Sequence, residues 1–158
     1  MPNYLPEDMK TLLGVGGVAP APGGTDGNDL KIFAVGNNYF VAEGGIDTIT
    51  GGVGNDYIEG GAGADIILAD LVGSSDTIVD FKFGDKIDLG AIDANADVGG
   101  IQNFSFIGQA AFTAAGQVRQ NGRNVEVNTV GASGAEMDIF LDGLYPIGHP
   151  LTASDFVL

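Results

Sequence analysis

The chain has no cysteine, no tryptophan, one histidine and only 6 lysine and arginine residues among 158. Each scarcity excludes something. Without cysteine there are no disulfides and no thiolate metal ligands, although this alone leaves the redox compartment open. The 6 basic residues face 21 acidic ones, giving a net charge of −15. With no basic patch to neutralise phosphate, nucleic acid is excluded as a natural partner and anionic membrane surfaces are disfavoured. No apolar run reaches the roughly 18 residues of a spanning helix, so no membrane insertion is expected. The first residues lack a basic stretch followed by an apolar core, so no cleaved secretory signal is expected either. Catalysis has little to work with. His149, in the loop PIGHP, has no H-E-x-x-H context, G-x-S-x-G is absent, and no carboxylate pair stands out as an acid–base couple. The expectation is a chain that is not an enzyme.

Glycine, by contrast, is abundant: 27 residues, 12 of them between Gly23 and Gly63. They fall into five nine-residue blocks in unbroken register over residues 24–68: GTDGNDLKI, FAVGNNYFV, AEGGIDTIT, GGVGNDYIE and GGAGADIIL. The fourth position is always glycine (Gly27, Gly36, Gly45, Gly54, Gly63). The sixth is Asp29, Asn38, Asp47, Asp56 and Asp65, and the eighth Lys31, Phe40, Ile49, Ile58 and Ile67. Glycine accepts positive φ, so six glycine-rich residues wind tightly. The last three are extended and point their central side chain inward. Each block turns the chain about halfway. Two blocks therefore make one coil of a flattened right-handed spiral, and turns two blocks apart stack about 4.8 Å from each other on one edge.

That stacking sets one sixth-position carboxylate above another. Left alone they repel; bridged by a hard cation they become ligands. Calcium takes six to eight oxygens from carboxylates and backbone carbonyls, and a glycine-rich turn leaves its carbonyls uncovered. Asp29 pairs with Asp47, with carbonyls from Thr25, Gly27, Ala42 and Gly44. Asn38 pairs with Asp56, with carbonyls from Ala34, Gly36, Gly51 and Val53. Asp47 pairs with Asp65, with carbonyls from Glu43, Gly45, Gly60 and Ala62. A partial fourth site is expected between Asp56 and the degenerate turn at 69–74, and three to five calcium ions in all. Asn38 offers a neutral oxygen, which predicts a weaker site. Lys31 stands where an apolar residue belongs, which predicts an imperfect first coil. The blocks resemble the calcium-binding nonapeptide of RTX proteins, G-G-x-G-x-D-x-U-x.

Residues 1–23 form a separate segment. PEDMKTLLG predicts a two-turn helix with Pro6, Glu7 and Asp8 at its start, followed by a Gly/Ala/Pro linker. It reads either as a tail or as a cap over the first coil or a contact to another molecule. The roll is placed at 24–79, where Asp76 and Asp80 read equally as ligands or as a solvated strand face. Residues 80–158 form an antiparallel β cap. Phe104 and Phe106 share one face there, Val125 and Val127 alternate with Glu126 and Asn128, and Met137, Ile139 and Leu141 alternate with acids. The fold expected is all-β, a parallel roll followed by that cap.

The runs DTIVDFKFGDKIDLGAIDAN, FSFIGQAAFTAAGQVR, EMDIFLDG and LTASDFVL resemble the C-terminal domain of serralysin-type secreted metalloproteases, and the likeness extends from Gly24 to Leu158. It implies a calcium-bound β-roll and export by type I secretion machinery through an uncleaved C-terminal signal. Asp155-Phe156-Val157-Leu158 matches that family's ending, one acid before apolar residues; closing a final strand explains the same residues. The family's protease motif is absent. The expected protein is secreted, extracellular or at the cell surface, and folds on extracellular calcium. A structural or matrix role with self-association is one reading. The export module of a larger secreted hydrolase is the other. With a chain starting at Met1, the first reading takes the chain itself as the exported product.

Overall fold

The computed structural model describes residues 23–33, 35–69, 74–131, 134–143 and 150–158. The helix expected at the N-terminus, the carbonyl of Ala34, residues 70–73 of the degenerate turn at 69–74 and His149 lie outside the described residues. Among the described residues twelve short strands form two sheets, with one 3-10 turn at Ala153–Asp155. Strands β1 (Leu30–Ile32), β3 (Thr48–Thr50), β5 (Ile66–Leu68), β7 (Lys86–Asp88) and β12 (Phe156–Val157) make one sheet in that order. The other contains β2 (Tyr39–Val41), β4 (Tyr57–Glu59), β6 (Ser75–Ile78), β11 (Met137–Leu141), β10 (Asn124–Asn128), β9 (Gln117–Asn121) and β8 (Ser105–Phe106). From β1 to β7 consecutive strands thus alternate between sheets, as half-coil blocks require.

Register follows the nonapeptide. Lys31 pairs with Ile49, Ile49 with Ile67, and Phe40 with Ile58. The next steps lengthen by two residues, Ile58 to Ile78 and Ile67 to Ile87, yet the pairing stays parallel. Eighth-position side chains line the interior. Phe40, Ile58 and Ile78 continue into Leu141 on one sheet, and Ile49, Ile67 and Ile87 into Phe156 on the other. All are buried, each contributing about 1.5–3 kcal/mol. Lys31 breaks the row at the open end. Its ammonium rests 5.5 Å from the Phe40 ring centre and 5.9 Å from that of Phe33, a cation–π contact that suits an end coil.

The antiparallel part is smaller than the alternation of 80–158 suggests. It consists of the β9–β10 and β10–β11 ladders. The Gly122-Arg123 turn between β9 and β10 has glycine first at φ 62°, as a two-residue hairpin of the II′ kind needs. Strand β11 then joins β6 in parallel, and β12 joins β7 in parallel. These strands extend the two roll sheets. They cover what would be the exposed edges of β6 and β7, the usual remedy for an unpaired strand. Val118, Val125, Val127, Met137, Ile139 and Leu141 are buried behind them, and Phe106 stacks on Phe156 at 4.9 Å.

Candidate metal centre

Two columns of sixth-position residues run along the edges of the roll. Asp29, Asp47, Asp65 and Asp85 form one, and Asn38, Asp56 and Asp76 the other. Each step uses the same hydrogen bond: the backbone N–H of one sixth residue donates to Oδ1 of the next. The distances are 2.8 Å for Asp29 to Asp47, 3.0 Å for Asp47 to Asp65 and 3.0 Å for Asp65 to Asp85. On the other edge they are 2.7 Å for Asn38 to Asp56 and 3.0 Å for Asp56 to Asp76. The three pairs named from the sequence are therefore brought together. Asp76 also belongs to a column, buried, and not to a solvated strand face. Asp80 serves the turn above it, accepting from the N–H groups of Gly60 (2.8 Å) and Gly61 (2.6 Å).

Glycine is required where the turns touch. Gly63 has φ 141°, and a Cβ there would overlap the carbonyl oxygen of Gly45. Gly45, at φ 125°, lies against Gly27 in the same way. Of the carbonyls expected as ligands, those of Thr25, Glu43, Val53 and Ala62 each accept a backbone N–H from an adjacent turn, from Gly44, Ala62, Gly36 and Gly45 respectively. A carbonyl oxygen has a second lone pair, so this leaves it able to coordinate. Ala42 is fully buried, and Gly44 pairs with Ala62 across the turns.

Several features fit a cation. Asp47 is buried, and its Oδ2 has no hydrogen-bond partner. A buried carboxylate oxygen without a partner is costly unless something positive meets it. On the second edge, the Asn38 amide nitrogen lies 2.7 Å from the Gly36 carbonyl, 3.3 Å from that of Gly51 and 3.1 Å from Asp56 Oδ1. Three oxygens assigned to that site thus already converge on one point. The first turn position is a cradle: a Cβ on Gly60 would sit 2.7 Å from Asp65 Oδ2. Among the described residues no three His, Cys, Asp or Glu side chains converge. A cation here must therefore draw on backbone carbonyls as well as on the stacked pair.

Electrostatics point the same way. Burial raises the pKa of Asp47; the Asp29 N–H offsets part of this, the charges of Asp65 and Asp29 add to it, and Lys82 opposes it. Burial likewise raises Asp85, against the N–H groups of Asp65 and Lys82 and the Lys82 charge. Two residues here were not singled out from the sequence. Asp85 is the sixth residue of one more turn, signalled by Asp85-Lys86-Ile87, which follows Asp76-Thr77-Ile78 by nine positions. Lys82 lies in that turn, its Nζ 3.4 Å from Asp65 Oδ2 and from both Asp85 oxygens.

Residues 35–67 match the model of the RTX calcium-binding nonapeptide repeat, in four copies. The coil is an RTX-type β-roll. The matched family is a calcium-binding repeat, not a catalytic one. No curated protein matches the chain. Among solved structures, it is similar to the solution structure of the AlgE6R3 subunit from the Azotobacter vinelandii mannuronan C5-epimerase, at 22% identity over 90% of this chain and 85% of that one, with a TM-score of 0.32. Among the described residues of this RTX-type roll, no helix is long and apolar enough to cross a membrane.

Proposed function

We propose that the chain is a secreted calcium-binding protein, without chemistry of its own, whose roll folds when it meets extracellular calcium. The observation that carries this reading is the Asp29–Asp47–Asp65 column, in which a buried Asp47 oxygen faces no donor. The ligands are the sixth-position residues Asp29, Asn38, Asp47, Asp56 and Asp65, with the turn carbonyls named above. Calcium supplies the positive charge that lets these stacked carboxylates stay ionised inside the roll. Without it, a net charge of −15 and 27 glycines oppose folding through self-repulsion and chain entropy. Three ions would bring that charge to about −9. Binding free energy is then folding free energy, and extracellular calcium near the millimolar range is enough for sites of this kind.

In this reading residues 1–23 are a linking segment, the roll expected at 24–79 runs on through the Asp85 turn and β7, and the residues from there to 158 are a cap that also carries a type I export signal. The role outside the cell is structural, in a matrix or on a surface, with self-association through the N-terminal segment. A second reading has a specific basis in the serralysin-like runs between Asp76 and Leu158: a calcium-binding export module of a larger secreted hydrolase. The length of the complete gene product separates the two. A calcium titration followed by circular dichroism tests the coupling itself. The β signal should grow with calcium and vanish in chelator; an equal signal in chelator refutes it.

A further inference from the structure

The first column has three steps with one backbone geometry and unlike surroundings. Among the described residues no lysine or arginine forms an ion pair with Asp29 or Asp47, and Asp47 Oδ2 has no hydrogen-bond partner. At Asp65–Asp85 a cation is built in. Lys82 Nζ lies 3.4 Å from Asp65 Oδ2 and 3.4 Å from each Asp85 oxygen. Both carboxylates are essentially out of solvent, at 0% and 1% side-chain exposure. Lys82 is the third residue of its six-residue turn. The third residue is Gly44 in the turn ending at Asp47 and Ala62 in the turn ending at Asp65, and neither carries a side chain that reaches the column. The turn at Asp85 differs by supplying a charge where the others supply none.

We propose that the Lys82 ammonium takes the place of a calcium ion at the Asp65–Asp85 step, so that this step is closed without metal. The inference rests on the calcium reading of the other steps. An ammonium offers three donors and one charge, enough to satisfy two carboxylates whose Oδ1 atoms already hold backbone N–H groups. A metal-free last step gives the roll a finished end. There β7 is flanked by β5 and β12.

The test is the number of calcium ions per chain, counted by native mass spectrometry alongside circular dichroism in calcium and in chelator. Lys82→Met removes the charge and keeps the stem. It should bind one more ion than the unaltered chain and lose more β signal in chelator, while Lys82→Arg keeps the original count. A folded Lys82→Met variant with an unchanged count overturns the proposal. Should that variant fail to fold, Asp85→Asn decides: an unchanged count supports the proposal, and the loss of one ion overturns it. If the unaltered chain takes up no calcium, it is the calcium reading that fails, and the two failures are distinguishable.

Discussion

The backbone N–H of Asp47 donates to Oδ1 of Asp65 at 3.0 Å, one full coil further along the chain. Asp47 in turn accepts the Asp29 N–H on its own Oδ1, so that oxygen is committed to holding the rungs in register while Oδ2 is left without a hydrogen-bond partner. In the proposed calcium-bound roll the same carboxylate has a structural and a ligating task for its two oxygens, and the two tasks respond differently to substitution.

Asp47→Asn separates them. The amide oxygen keeps the acceptor for the Asp29 N–H and removes the buried charge. In chelator the variant should retain at least as much β structure as the unaltered chain. In calcium its folding midpoint should move to roughly tenfold higher concentration, about 1.4 kcal/mol. Parallel calcium titrations in circular dichroism check both signs.

Gly63→Ala places a Cβ on the Gly45 carbonyl at a φ of 141°, and should cost about 2–4 kcal/mol. Gly99→Ala, with no positive φ and nothing within 4 Å, should cost less than about 0.5 kcal/mol. Urea denaturation of both variants in saturating calcium measures the contrast. Equal costs would mean the turns do not touch as described.

Asp138 on β11 faces Glu126 on β10. Burial first, then the Glu126 charge, raises its pKa, and Arg119 opposes this. The folded state therefore holds the proton more tightly than the unfolded chain. The ionised carboxylate costs stability at neutral pH, and the cost disappears as pH falls through its titration. Asp138→Asn should stabilise by a few tenths of a kcal/mol, about 0.3, at neutral pH. The gain should shrink on acidification, as read from denaturation midpoints across pH.

The Tyr57 and Tyr39 rings pack in a tilted pair, 5.2 Å between centres. Burial, then the charges of Tyr39, Asp142, Glu59 and Asp80, pushes its pKa up to about 12. The unfolded phenol ionises near 10. Stability from this group is complete below that value and is lost as pH rises from about 10 towards 12. Phenolate absorbance should show Tyr57 titrating late, and Tyr57→Phe should flatten the alkaline loss of stability.

Much of this was legible in the residues because the nonapeptide couples a turn, a carboxylate and an inward side chain at fixed spacing. Those three features dictate alternation between two sheets and the pairing of Asp29 with Asp47 and of Asp47 with Asp65. Asp85 was hidden by arithmetic: two extra residues between Leu68 and Asp76 shift the period, although Asp-x-Ile recurs nine residues later. The parallel pairing of β11 with β6 was not legible, since Phe140 opposite Thr77 depends on no local pattern. Alternation at Met137, Ile139 and Leu141 identifies a half-buried strand and is silent on its partner. Lys82 was invisible for a related reason. Only the stacking of its turn beneath Asp65 gives its charge a place.

Anomalous diffraction from crystals grown with ample calcium tests the account most directly. Peaks are predicted between successive turns beside Asp47 Oδ2 and along the Asn38–Asp56 edge, and none beside Lys82 Nζ. Absence of peaks along both columns, with the rungs still stacked, would contradict it.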